Sequence, residues 1–201
     1  MKVKTLTVGP LQENCYLAWT ETGNGFIIDP GDDAQQITEV ISKNGIKPEA
    51  ILLTHGHVDH IRAIPDLSSI YNIEVFLRQE DHKLYSDPRN EVFPYVTAAQ
   101  NLPEPVTVPI QATGLNYQVL ETPGHTRGGC SFYFDTERIV FTGDTLFRGS
   151  IGRTDLPGAD HETLLESIRQ QLLALPPDTV VYPGHGSATT IAEEKSSNSL
   201  L

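Results

Sequence analysis

Residues 54–60 read Thr54-His55-Gly56-His57-Val58-Asp59-His60. They follow an apolar run, Ala50–Thr54, that is typical of a buried strand. Three imidazoles and one carboxylate therefore fall together where a strand ends. Imidazole and carboxylate are ligands that zinc and its first-row neighbours accept. A single histidine there would be typical of an exposed loop, whereas four ligand-type residues so close together indicate a metal site.

Three further ligand candidates lie on glycine-containing turns. Two histidines share a Pro-Gly-His context, His125 and His185, and Asp144 follows Gly143. Each comes after a predicted strand, and a preceding glycine lets the backbone turn tightly. Taken singly, an aspartate after glycine is more typical of a turn or a helix cap. Together, the five histidines and two aspartates predict a site for two metals that share one carboxylate.

At these seven positions the sequence resembles the metallo-β-lactamase-fold hydrolases, whose motif T-H-x-H-x-D-H is followed by a histidine, an aspartate and a last histidine. The resemblance implies an α/β fold, a four-layer αββα sandwich of two mixed β-sheets packed face to face with helices outside. It also implies a single catalytic domain over 1–201. The implied ligands of the first metal are His55, His57 and His125, those of the second are Asp59, His60 and His185, and Asp144 bridges both.

Within that superfamily, residues 141–155 look like the glyoxalase II-like group, closest to its short, single-domain bacterial members. Persulfide dioxygenases share a similar Gly-Arg-Thr-Asp segment, here residues 152–155. Two features depart from the glyoxalase II pattern. Sixteen residues follow His185, too few for the C-terminal helical extension that helps to bind glutathione. In addition, Arg127-Gly128-Gly129 stands where many relatives have Pro-Gly-His. The use of glutathione therefore stays open.

The resemblance implies a hydrolase that uses a metal-bridged hydroxide. Two divalent ions, zinc or alternatively iron or manganese, would lower the pKa of a shared water from 15.7 toward about 7. Asp59 is then both a ligand and the candidate catalytic proton shuttle. A small thioester such as S-lactoylglutathione suits this site, because a thiolate leaves with little help from a general acid.

Three arginines beside the ligand loops are candidate substrate-binding residues. Arg153 matches a position where glyoxalase II enzymes commonly place a basic residue against a substrate carboxylate. Our hypothesis is that Arg153 binds such a carboxylate and that Arg148 or Arg127 assists. The alternative is that these side chains form surface ion pairs, worth about 0–1 kcal/mol each.

Several other functions share parts of this pattern. A mononuclear-iron persulfide dioxygenase would use the same open metal face to bind oxygen. A hydrolase of another ester, lactone or phosphodiester needs only a different pocket. A β-lactamase is disfavoured, because the N-terminal residues predict a strand and not an export signal. A non-enzymatic metal-binding domain is disfavoured, because structural zinc takes a closed tetrahedral cage.

Composition narrows the class of partner. With 14 Lys+Arg against 26 Asp+Glu, the 201-residue chain has a formal net charge of −12. This acidity argues against a nucleic-acid partner, since phosphate backbones are bound by basic patches. No apolar run approaches the ~20 residues that span a bilayer. We expect a cytoplasmic monomer or small homo-oligomer that acts on a small molecule, with its two cysteines reduced.

Periodicity and turn residues predict the elements around the motifs. Predicted helices are Ala34–Asn44, capped by Asp32 or Asp33, Ile61–Tyr71 and His161–Leu175. Residues 86–115 are expected to be irregular, and residues 195–199 a loose polar tail. The predicted strands are Lys2–Val8, Asn14–Trp19, Phe26–Asp29, Ala50–Thr54, Glu74–Leu77, Tyr117–Glu121, Ser131–Phe134, Arg138–Phe141 and Thr179–Tyr182. The two halves of this list resemble each other, which suggests two similar sheets.

Overall fold

The computed structural model describes all 201 residues and divides into two compact units, Met1–Asn116 and Tyr117–Leu201. The prediction of one catalytic domain over 1–201 stays a prediction. In the first unit the strands are β1 (Lys2–Val8), β2 (Glu13–Trp19), β3 (Asn24–Ile28), β4 (Lys47–Leu52) and β5 (Glu74–Phe76). Its helices are α1 (Ala34–Asn44), α2 (Ile64–Tyr71) and α3 (His82–Tyr85), with short 3-10 helices at Val58–His60 and Gln79–Asp81.

The strands of the first unit form one mixed sheet in the order β1-β2-β3-β4-β5. The first three form an antiparallel meander, and β4 and β5 continue parallel to β3. Helices α1 and α2 contribute Ile37, Ile41, Ile64 and Leu67 to a buried cluster with alternate side chains of the strands, such as Leu17. Burial of each such side chain contributes about 1.5–3 kcal/mol, so this layer holds the strand ends in place.

Both ends of α1 show how local chemistry sets its limits. The helix ends at Gly45, whose φ of 63° lets its N–H bond back to the last turn. Asp33 is the N-cap residue, as expected, but its side chain makes no capping hydrogen bond. Asp33 has a φ of 53°, and its carboxylate instead accepts a hydrogen bond from the N–H of Gly9 at 2.9 Å. In α2 Pro65 lies in the first turn, where its missing N–H costs nothing.

The second unit contains β6 (Gln118–Glu121), β7 (Cys130–Phe134), β8 (Ile139–Gly143), β9 (Leu146–Phe147), β10 (Ser150–Ile151), β11 (Val180–Pro183) and β12 (Thr189–Thr190). Its helices are α4 (His161–Ser167), continued by a π-helical turn at Ile168–Leu172, and α5 (Ile191–Ser197). The main sheet has the order β12-β11-β8-β7-β6, with β11 parallel to β8 and the other neighbours antiparallel. Strands β9 and β10 form a separate hairpin.

The core of the second unit lies between this sheet and its helices. Leu164, Ile168 and Leu172 follow helical spacing and pack against Val140 and Val181. Ile191 extends the cluster from α5. The expected loose tail at 195–199 is therefore wrong for its first part, because α5 runs to Ser197 and its residue Glu194 is buried. A seven-residue helix that is mostly polar gives little periodic signal, whereas the capping residue Thr190 does mark its start.

The similarity of the two halves is confirmed at the level of topology. Each sheet has a three-stranded antiparallel meander followed by a crossover to a parallel strand, β4 in the first unit and β11 in the second. Residues 86–115 contain no helix or extended strand, as expected. No disulfide joins the two cysteines, and both side chains are buried. None of the helices has the length and apolarity that a bilayer-crossing segment needs.

Candidate metal centre

Strand direction explains why the candidate ligands gather within each unit. In the first, β3 and β4 are parallel neighbours, so Asp29 and the loop at 55–60 follow at the same edge of the sheet. In the second, β6, β8 and β11 point the same way, because β7 runs antiparallel to both β6 and β8. His125, Asp144 and His185 follow these three strands and so lie at one edge of their sheet.

In the first unit the imidazole of His55 lies within contact distance of two others. The ring of His55 is 4.9 Å from that of His57 and 4.2 Å from that of His60, measured between centroids. The Nε2 atom of His60 is 4.0 Å from a carboxylate oxygen of Asp59. His55 and His60 are buried, whereas Asp59 is partly exposed, with 15% of its side chain accessible. The predicted cluster therefore exists within this unit.

Asp29 orients two of these imidazoles from behind. Its Oδ2 accepts hydrogen bonds from Thr54 Oγ1 at 2.6 Å and His60 Nδ1 at 3.2 Å, and its Oδ1 accepts one from Thr54 N at 2.8 Å. Since the Thr54 hydroxyl donates to Asp29, it accepts from His55 Nδ1 at 3.0 Å. Both imidazoles then carry a proton on Nδ1, which makes Nε2 the metal-binding atom. Asp29 therefore supports two of the candidate ligand histidines.

Asp32, one of the two predicted caps of α1, forms a different contact. Its carboxylate accepts a hydrogen bond from Arg62 at 2.8 Å and another from the N–H of Asp33. The Arg62–Asp32 pair is partly exposed on both sides. It joins the segment before α1 to the end of the histidine loop.

Glu13 was not predicted as part of the site, yet it lies against it. Its carboxylate is 3.6 Å from His60 Nδ1 and its exposure is 1%. The pKa of the neighbouring Cys15 thiol is raised well above its ordinary value by burial, and further by the charges of Glu13 and Asp29. The available signal was a charged residue at the start of a strand whose other six residues are uncharged, which indicates a buried carboxylate with a role.

In the second unit the three ligand candidates converge on one oxygen atom. The Nε2 atoms of His125 and His185 lie 3.6 Å and 3.7 Å from the Oδ2 atom of Asp144. Two ligand atoms at 2.0–2.2 Å from one tetrahedral ion are separated by roughly 3.4 Å. Both imidazoles therefore stand at the spacing that a shared metal ion or a bridging carboxylate requires.

The imidazole of His125 is oriented by a main-chain group. Its Nδ1 donates to the carbonyl of Arg153 at 2.8 Å, which again presents Nε2. The turn before it is fixed by α4, since the N–H of Asp160 donates to the carbonyl of Gly124 at 2.8 Å. A further main-chain bond, from Gly184 N to Gly143 O at 2.8 Å, ties the turn of His185 to that of Asp144.

Glycines allow the backbone to approach the main chain of two candidate ligand aspartates. A Cβ added to Gly152 would lie 1.9 Å from the carbonyl oxygen of Asp144, and one added to Gly31 would lie 1.8 Å from that of Asp59. Side chains at these positions would displace the ligand residues. In each unit, therefore, one glycine lets a neighbouring loop pack closely against the main chain of a candidate ligand aspartate.

The three candidate substrate-binding arginines lie on the surface of the second unit. Arg153 donates two hydrogen bonds to Asp155, both at 2.7 Å, with more than 60% of each side chain exposed. These bonds hold the pKa of Asp155 at about 2. Arg148 pairs with Glu193 at 3.0 Å, and Arg127 lies along Gly158. Their role toward a substrate stays a hypothesis.

The donor set of each unit fits a divalent transition metal. The first unit offers three imidazoles and a partly exposed carboxylate, and its Asp29, His55 and His60 present ligand-type atoms within 4.8 Å of one another. The second offers two imidazoles around one carboxylate oxygen. These are the ligands that zinc, iron and manganese accept, and the hydrogen bonds to Nδ1 preset the required tautomers.

Comparison with known proteins identifies the family. A model of the "Metallo-beta-lactamase superfamily" matches residues 8–185. The chain is 37% identical to hydroxyacylglutathione hydrolase GloC of Haemophilus influenzae, over 100% of this chain and 98% of that protein. Among solved structures it resembles the BLEG-1 B3 metallo-beta-lactamase, with a TM-score of 0.93, 35% identity and coverage of 100% and 99%. It also resembles TTHA1623 in a di-iron-bound form, with a TM-score of 0.86, 39% identity and coverage of 98% and 100%.

These matches confirm the fold that the histidine motif predicted. The match spans both units, and the GloC relative and both structures align with this chain over nearly their whole length. The groups of histidine and aspartate in each unit agree with a hydrolase that uses divalent metals. The chain belongs to the metallo-beta-lactamase superfamily of metal-dependent hydrolases.

Proposed function

We propose that this protein is a dinuclear metal-dependent thioester hydrolase of the glyoxalase II-like kind. The proposal draws on the arrangement around Asp144, where one carboxylate oxygen lies 3.6–3.7 Å from the Nε2 atoms of two histidines. In the ligand set that the family resemblance implies, Asp144 is the residue that bridges the two metals. We propose that His55, His57 and His125 bind one ion, that Asp59, His60 and His185 bind the other, and that Asp144 bridges them. Zinc is the proposed metal, with iron or manganese as alternatives.

Bound metals would supply a water of lowered pKa and a Lewis acid for the carbonyl of the substrate. The chain's own residues would accept the proton of the water and orient the imidazoles. Asp59, with a side chain that is partly exposed, is the group able to accept a proton from the attacking water while it remains beside His60. Asp29 and the carbonyl of Arg153 keep three imidazoles in the tautomer that presents Nε2. A thiolate leaving group needs no separate general acid, which suits a site whose acids are ligands.

The substrate class is part of the proposal. Arg153 is the candidate for a substrate carboxylate, because it is exposed and its own carbonyl touches a ligand histidine. The GloC relative is named a hydroxyacylglutathione hydrolase. S-Lactoylglutathione is therefore the first substrate to assay, together with a neutral thioester that has the same acyl group.

A mononuclear-iron persulfide dioxygenase is the second candidate. The Gly-Arg-Thr-Asp segment at 152–155 favours it. Metal analysis of the purified protein should find two metals per chain, with turnover of S-lactoylglutathione and no oxygen uptake on glutathione persulfide. One iron per chain with oxygen uptake and no thioester hydrolysis would replace the hydrolase by the dioxygenase.

A further inference from the structure

The buried side chain of Asn90 hydrogen-bonds to the main chain of the loop 55–60 on both sides of His57. The Oδ1 of Asn90 accepts a hydrogen bond from Val58 N at 3.0 Å, and its Nδ2 donates to Gly56 O at 2.8 Å. Asn90 is 8% exposed, and both bonds are buried. The main-chain groups immediately before and after His57 are thus tied to one side chain that lies more than thirty positions further along the chain.

A second side chain, from the segment 81–90 that ends at Asn90, also hydrogen-bonds to this loop. Asp81, with 1% exposure, accepts a hydrogen bond from Gly56 N at 3.0 Å through its Oδ2. Three main-chain groups of the short connection between β4 and the 3-10 helix are thereby satisfied by side chains. Buried main-chain groups left without such partners cost about 1–3 kcal/mol each. The segment 81–90 therefore determines the path of the backbone through His57.

Position 90 requires an amide. One side chain must accept from an N–H and donate to a carbonyl at the same time, which a carboxylate or a methyl group does not do. The two partners also fix which way the amide points. Asn90 is itself held by its own N–H, which donates to Asp87 O at 2.9 Å in a turn closed by the Arg89–Asp87 ion pair.

We infer that Asn90 is a positioning residue for His57 and sets the affinity of the site for the metal ion to which His57 binds. Asp29 acts on the rings of His55 and His60, whereas Asn90 acts on the backbone around His57. The inference rests on the proposed role of His57 as a ligand. Loss of a residue that orients a ligand typically weakens metal binding by about 10- to 100-fold.

Amide hydrogen exchange of the metal-free protein tests the geometric part. In Asn90→Ala the N–H of Val58 should exchange about tenfold faster or more, while that of Gly56, bound to Asp81, stays protected. In Asp81→Ala the pattern should reverse. The matched control is Asn44→Ala, because Asn44 also donates from its side chain to a main-chain carbonyl but is exposed at the end of α1.

Zinc titration against a chromophoric chelator tests the functional part. Asn90→Ala and the isosteric Asn90→Asp should each weaken the binding of one of two zinc ions by about 10- to 100-fold. The affinity for the other zinc ion should stay within about threefold of wild type. Asn44→Ala should bind both as wild type does. The inference is overturned if Asn90→Ala leaves the N–H of Val58 protected, or if it leaves both zinc affinities unchanged. It is also overturned if both zinc affinities fall equally and amide protection is lost throughout the protein. Wild-type protein that binds no metal would defeat the proposed function instead, and the exchange result would still decide whether Asn90 fixes the loop.

Discussion

In the first unit the imidazoles of His55 and His60 are oriented by other side chains, whereas in the second unit the imidazole of His125 is oriented by a main-chain carbonyl. Asp29 reaches His60 directly and His55 through the hydroxyl of Thr54. His125 instead donates to the carbonyl of Arg153. A mutation can delete a carboxylate but cannot delete a carbonyl. We therefore expect the first ligand group to depend on the identity of its supporting residues and the second to depend mainly on the course of its backbone.

The largest effect should follow from Asp29→Ala. The change removes the acceptor of three buried donors, on Thr54 and His60, at about 1–3 kcal/mol each. We expect a loss of about 3–6 kcal/mol of unfolding free energy and of bound metal, measured by urea denaturation and metal analysis. Asp33→Ala, which removes an exposed carboxylate bound to Gly9, is the control. Near-wild-type stability of Asp29→Ala would show that the candidate ligands of the first unit do not depend on this supporting side chain.

Gly152→Ala tests the backbone dependence of the second group. The new methyl group would meet the carbonyl of Asp144 at 1.9 Å, so the ligand must shift. We expect a cost of about 2–3 kcal/mol and at least a tenfold weaker metal affinity. Gly149→Ala in the same hairpin has open space around it and should cost only the strain of its φ of 68°. Equal effects of the two substitutions on metal binding would contradict the expectation.

Arg153→Ala separates the two roles of one residue. Its main-chain carbonyl continues to accept from His125, so metal content and kcat should stay within about twofold of wild type. The KM for an anionic thioester should rise about fivefold, as expected for an exposed charge contact, while the KM for a neutral thioester stays unchanged. Arg138→Ala, which breaks a similar exposed pair with Asp178, is the matched control. An unchanged KM for the anionic substrate would refute the role of Arg153 in binding.

The smallest effect should come from Asp155→Asn. This carboxylate occupies the guanidinium of Arg153, so its neutralisation should lower the KM for an anionic thioester about two- to threefold. Because Arg153 holds the pKa of Asp155 at about 2, the pair persists as the pH falls until it approaches that value. The effect should therefore be the same at about pH 6 and pH 8. Asp178→Asn is the control, and a rise in KM would mean that Asp155 helps to hold Arg153 for the substrate.

The ligand positions were accessible to prediction because their signal is local. A strand followed by a dense ligand motif, or by a Pro-Gly-His turn, can be read without knowledge of the fold. Within each unit the predicted ligands do gather at one edge of a sheet, and the parallel pairing of β3 with β4 and of β8 with β11 explains it. The family matches then confirmed the fold that these motifs implied.

The supporting residues were not accessible, because their partners are far away in sequence. Asp81 and Asn90 contact Gly56 across 25 and 34 positions. Asn90 also lies in the stretch 86–115, whose prolines and lack of periodicity predict only irregular structure. Short strands such as β9, β10 and β12 are two residues long and leave no alternating pattern. The predicted helix His161–Leu175 was right in position but missed the π-helical turn at Ile168–Leu172, which no local propensity marks.

The burial of both cysteines has a consequence for a protein whose proposed reaction releases a thiol. Cys15 and Cys130 are at most 1% exposed, and burial together with two nearby carboxylates keeps Cys15 protonated. Only a thiolate attacks a disulfide. Neither the product nor its oxidised dimer therefore finds a nucleophile on the protein with which to form a mixed disulfide. Turnover should be indifferent to the ratio of reduced to oxidised thiol in its surroundings.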